Sequence, residues 1–170
     1  MSTSTNGMLV YGYIWSEDID ILEASRTGED DQRDWPEIIA ARRGIANPWD
    51  GYPSPSGVSA SQRESATRRA EQWIAAHRAD IDARREAIKA IEAEFGVVIE
   101  SHGSDSWTCP IVSIAGAGIT AYRGYPKPIT PANLEVGADW DAKLATFIAE
   151  LGIDTSEAEG PGWFLASWWG

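Results

Sequence analysis

An α+β fold is what this sequence predicts: a ferredoxin-like antiparallel sheet of split β-α-β units, with one long helix and inserted short helices. Three observations point there. Residues 61–95 run without Pro or Gly and are dense in Ala, Glu, Arg and Gln, which lose little entropy on becoming helical. Short runs rich in Val, Ile, Tyr and Trp lie on both sides of that stretch. Their order is strand, helices, three strands, helix, strand, as two split β-α-β units around a hairpin require.

Residues 9–15 read as the first strand, apolar on both faces and hence central. Residues 1–7 ahead of it are polar and uncharged, and read as a disordered tail of a single domain spanning 1–170. An insertion over 16–58 follows. Within it Ser16 caps a short acidic helix ending near Gly28, and Asp34, Pro36 and Glu37 start another that stops at Gly44. Residues 44–58 form a loop stiffened by Pro48, Pro53 and Pro55, with Trp49 and Tyr52 as large contact surfaces. It reads as a recognition loop, or equally as a lid whose aromatics cover the long helix.

In the long helix, Ser61 and Glu64 make a capping-box signature and Gly96 a stop. Glu64 with Arg68, Arg78 with Asp82 and Asp80 with Arg84 are supporting i,i+4 pairs. Ile74, Ile81, Ile88 and Phe95 recur every seventh residue, but the line between them carries Ala70, His77, Arg84 and Ile91. A sealed seam has no use for His and Arg, so the second half alone is expected to dock fully. A straight helix over this stretch would be about 50 Å long, against a diameter of about 40 Å for a compact domain of this size. It must bend, or project at its N-terminal end and pair with a partner or a second copy through residues 63–81.

Strands are expected over 96–101, 107–115 and 119–125, an amphipathic helix over 139–151, and a last strand over 162–169.

Charge narrows the function. There are 26 acidic and 14 basic residues, a net of −12. The long helix is balanced, so the excess lies elsewhere: nine acids against Arg26 and Arg33 between Glu17 and Glu37. Direct nucleic-acid binding is disfavoured, because its main attractive term needs Lys and Arg. A basic protein partner, or a surface that ordinarily holds nucleic acid, is favoured. Nine tryptophans are more than one domain of this size readily hides, and Trp is common at interfaces. With a single cysteine there is no internal disulfide; no secretion signal or membrane span is read, and a cytoplasmic protein is expected.

Catalytic chemistry has one candidate location. His102, Asp105 and Cys109 would serve a small Cys/His-dependent hydrolase or transferase if thiolate and imidazole met across a turn. Gly, Ser and Asp are also ordinary turn formers, and Cys109 beside Pro110 also reads as a buried small hydrophobe. Two histidines and one cysteine cannot build a closed zinc site, and Asp30, Asp31 and Asp34 lack EF-hand spacing. Glu100, His102 and Asp105 are the remaining metal candidates. No cofactor is expected; Gly116 and Gly118 join strand to strand, whereas a dinucleotide fingerprint opens a helix.

The expectation is therefore a non-enzymatic acidic protein working by protein-protein contact. Its binding residues are Asp30, Asp31 and Asp34, Trp49 and Tyr52, and Trp73 and His77. By analogy of class alone, such small acidic proteins include inhibitors, immunity proteins and anti-defence factors of phages and mobile elements.

Overall fold

The computed structural model describes residues 5–26, 33–104 and 107–169. In chain order the elements are β1 (Thr5–Trp15), α1 (Trp35–Arg42), α2 (Arg63–Ala76), α3 (Arg78–Phe95), β2 (Val97–Ser104), β3 (Trp107–Ile114), β4 (Ile119–Ala121), α4 (Trp140–Leu151) and β5 (Ala158–Trp169). Short 3-10 turns lie at Glu23–Ser25 and Pro131–Leu134. The architecture is α+β, and the chain divides into two compact units, residues 1–35 with 92–170, and residues 36–91.

The first unit is a five-stranded sheet in the order β3-β2-β5-β1-β4, with β1 also pairing β3. β1 is central. β5 runs antiparallel along its whole length, while β4 takes Gly7–Leu9 and β3 takes Gly12–Ile14 on the other edge. Both edges of β1 are thereby paired, and its two faces are buried as well, Val10 on one and Tyr11 on the other, which is why its sequence is apolar without alternation. Of the stretch 1–7 expected as a loose tail, Thr5, Asn6 and Gly7 pair with β5, so the strand opens at Thr5, and residues 1–4 lie outside the described residues. β2 pairs antiparallel with β3 from Val97 to Ser104, and meets β5 in one parallel bridge, Gly103 to Trp168.

Side chains sort by the pleat. Val10, Ile111 and Ala166 form a buried cluster with Met8, Ile14 and Phe164 around it. On the opposite face Tyr11 packs on Trp140 of α4 and on Trp163 of β5, at ring-centroid distances of 5.3 and 5.5 Å. α4 lies on β3 and β2, with Leu144 and Phe147 fully buried. Phe147 meets Trp35 edge-on at 4.9 Å and Phe95 at 5.7 Å. Gly152, at φ 68°, ends α4 in the left-handed region that glycine enters without penalty. Gly12 lets β3 approach β1: a Cβ there would stand 1.9 Å from the Val112 carbonyl oxygen.

Of the acidic helix expected from Ser16 to near Gly28, the described part, residues 16–26, forms one 3-10 turn, Glu23–Ser25. Asp20 explains part of this, since its carboxylate accepts the Leu22 N–H at 3.0 Å and competes with helical hydrogen bonding.

The second unit is helical. The long helix forms but breaks at His77, between α2 and α3. There the Trp73 carbonyl accepts both the His77 backbone N–H at 3.0 Å and its ring Nδ1–H at 2.9 Å. The N-cap is Gln62 with no side-chain bond; Ser61 is engaged with Ser59 at 3.1 Å instead, which corrects the capping-box reading. The seam also differs from expectation. Ala66 and Ala70 in the first half are buried, Ile88 in the second is only half-buried, and Arg84 is 7 % exposed. An arginine sits on a sealed line here because it has partners: Nη1 donates to the carbonyls of Ile45 (2.8 Å) and Ala46 (3.0 Å), and Nη2 to the Glu37 carboxylate.

Candidate functional site

Four of the residues singled out from sequence meet in the second unit. The loop after α1 turns at Asn47, whose side chain accepts from the Trp49 N–H at 3.3 Å and donates to Asp50 at 3.0 Å. Tyr52 N–H then bonds the Trp49 carbonyl at 3.0 Å. This turn places both aromatics against the end of α2. Trp49 stacks on Trp73 (5.9 Å, 23°), Tyr52 stands edge-on to both, and Trp73 stacks on the His77 ring at 4.0 Å and 18°. Trp73 sits one turn before His77, so the stack also braces the helix break. Trp49 remains 46 % exposed while Tyr52, Trp73 and His77 are half-buried. The loop's rings cover part of the helix, as the lid reading expects, and one ring, Trp49, stays partly in solvent.

In the first unit a cavity of about 590 Å³ forms an open groove over the β2–β3 hairpin. Ile99, Ser101, Thr108 and Pro110 share one side of the hairpin by register and line it. Asp18, Asp20, Asp34 and Glu100 add carboxylates, against Arg26 as the cation of the lining. Arg26 is itself bound to Asp20 and to the Arg33 carbonyl (3.3 Å). Asp18, Asp34 and Glu100 are exposed. Of the acids chosen from sequence, Asp34 lies here, while Asp30 and Asp31 fall outside the described residues. Asp18 and Asp20 were not singled out; their signal is the alternation of acid with Ile19 and Ile21 directly after a central strand.

His102 and Cys109 are register partners across β2 and β3, so their side chains lie on the same face. His102 Nε2–H donates to the Trp15 carbonyl at 2.8 Å, fixing the neutral ring as the Nε2–H tautomer. Cys109 is 2 % exposed. Asp105, the third member of the proposed set, lies outside the described residues. Among the described residues no group of three or more His, Cys, Asp or Glu is placed to hold a metal ion, and no helix is long and apolar enough to cross a membrane.

Other surface groups stand out. Trp107 is 57 % exposed, and Tyr122, Tyr125, Ile129, Leu134 and Val136 are exposed along the segment after β4. Trp15, by contrast, is fully buried, and its indole N–H has no hydrogen-bond partner among the described residues. Comparison with known proteins finds no matching family, no matching curated protein and no matching solved structure.

Proposed function

We propose that this chain is a non-enzymatic acidic binding protein that acts by protein-protein contact, seating a basic segment of its partner in the groove over the β2–β3 hairpin. The observation that carries this reading is the lining of that groove: Asp18, Asp20, Asp34 and Glu100 around Ile99 and Pro110, with Arg26 already committed to Asp20. Carboxylates over an apolar floor suit Lys and Arg, whose aliphatic stems lie on apolar surface while the charged heads reach acids. A partner surface that ordinarily holds nucleic acid has this chemistry, so occupation of it would make the chain an inhibitor, immunity or anti-defence factor. The exposed Trp49 supports contact as the mode of action. For the fold, the antiparallel pairings β5–β1, β1–β3 and β3–β2 support the finer ferredoxin-like reading, two split β-α-β units to which β4 is added.

The test is calorimetric titration with a Lys/Arg-rich peptide at low and high salt. Reversing Asp18, Asp34 and Glu100 to Lys should weaken capture at least roughly tenfold. A charge-matched control, Glu71, Glu92 and Glu157 to Lys, should change it little, since these are exposed acids outside the groove. Equal losses in both variants would reduce the groove to a share of the net charge and sink the reading.

A further inference from the structure

The acidic groove already holds a cation of its own. Arg26 lines it and donates from Nη1 to Oδ2 of Asp20, which lines it too. The other oxygen of that carboxylate, Oδ1, accepts the Leu22 N–H at 3.0 Å, so Asp20 is fixed by two donors. Arg26 is fixed as well. Its Nε–H donates to the Arg33 carbonyl at 3.3 Å, and its backbone N–H closes the 3-10 turn on the Glu23 carbonyl at 3.2 Å. The two partners differ in exposure. The Arg26 side chain is 17 % exposed and mostly withdrawn from water, whereas that of Asp20 is 48 % exposed and open to a competitor.

This internal contact displays the chemistry that suits this end of the groove: a planar guanidinium with one N–H on a carboxylate and another on a backbone carbonyl. The ammonium of lysine is a compact point charge and does not reproduce that fork. The contact also has a cost for binding. A carboxylate engaged within its own chain is reached only while the internal pair is open, and apparent affinity falls by the fraction of time it is closed.

We infer, on the reading of the groove as the seat of a basic segment, that it selects arginine: the partner's guanidinium takes the place of Arg26 on Asp20, and Arg26 is the groove's built-in competitor. Arginine selectivity and restraint by Arg26 then have one origin, since the displaced group and the displacing one are chemically the same.

The test is calorimetry on the full chain with hexa-arginine and hexa-lysine, probes of equal charge. Hexa-arginine should bind severalfold more tightly than hexa-lysine. Arg26→Gln should tighten hexa-arginine roughly fivefold, the upper end of what a solvent-accessible ion pair withholds. Lys127→Gln, which removes an exposed cation outside the groove lining, should change it little. With Asp20→Asn already in place, Arg26→Gln should do no more than Lys127→Gln, because no internal pair is left to release. The assignment is overturned by equal affinity for the two peptides, by an Arg26→Gln effect that is absent, reversed or matched by Lys127→Gln, or by one that persists with Asp20→Asn. Any of these, with capture still lost on reversing Asp18, Asp34 and Glu100, leaves the groove as a seat for basic segments. No binding by wild type or by Arg26→Gln removes both readings.

Discussion

Removing the Tyr11 hydroxyl probes how the sheet and α4 are joined. Tyr11 is 6 % exposed and donates its O–H to Asp141 Oδ1 at 2.6 Å. That bond to a carboxylate, then burial, then the negative charge of Asp141, push the phenol up from 10.0 to about 12. That shift favours the neutral, donating form of the phenol. The sign follows from linkage. The folded state holds the proton more tightly than the unfolded chain, so the contribution is complete below pH 10 and is lost as pH rises toward 12. Tyr11→Phe keeps the ring contacts with Trp140 and Trp163 and deletes only the donor. Asp141 is exposed and rehydrates in the variant, so the expected loss at neutral pH is about 1–2 kcal/mol. Urea unfolding from pH 7 to 12 should show wild type and variant converging over the last two units. A cycle with Asp141→Ala should return a coupling of roughly 1 kcal/mol. A variant as stable as wild type at pH 7, or a constant gap up to pH 12, would refute the account.

Phe147→Ala should cost about 3–5 kcal/mol by denaturant unfolding, because the ring is fully buried between Trp35 and Phe95. Gly12→Ala should prevent native pairing of β1 with β3, since its methyl would overlap the Val112 carbonyl; circular dichroism and amide exchange of the β1–β3 pairs would show it. In the second unit, Arg84→Met should destabilise by about 3–5 kcal/mol, as it leaves Glu37 and two backbone carbonyls without their partner.

The long Pro- and Gly-free run, the β-branched strand segments and the charge asymmetry were legible in the chain because each depends on neighbours a few residues away. β1 through β5 and α4 follow from such local patterns, as does the stop at Gly152. The helix break at His77 was not legible, since it rests on a ring bonding the Trp73 carbonyl four residues back while stacking on the Trp73 indole. The seam misled for a related reason. Arg84 is excluded from a sealed face by its charge, and it is Ile45, Ala46 and Glu37, some forty residues upstream, that make its burial tolerable.

The candidate site divides in the same way. Composition marked Trp49, Tyr52, Trp73 and His77 as contact residues, but their assembly into one stack required the turn at Asn47 to meet the end of α2. Likewise the acids of 17–37 announced a negative region, whereas bringing Asp18, Asp20 and Asp34 around one groove with Ile99, Ser101, Thr108 and Pro110 took the register of the β2–β3 hairpin. By itself, then, the sequence determined where most of the helix and strand segments lie and where negative charge accumulates, because backbone propensity and composition act locally. Which charged groups are buried, paired or gathered around a cavity was decided only by tertiary structure, because a charge leaves water only where distant parts of the chain supply its partners.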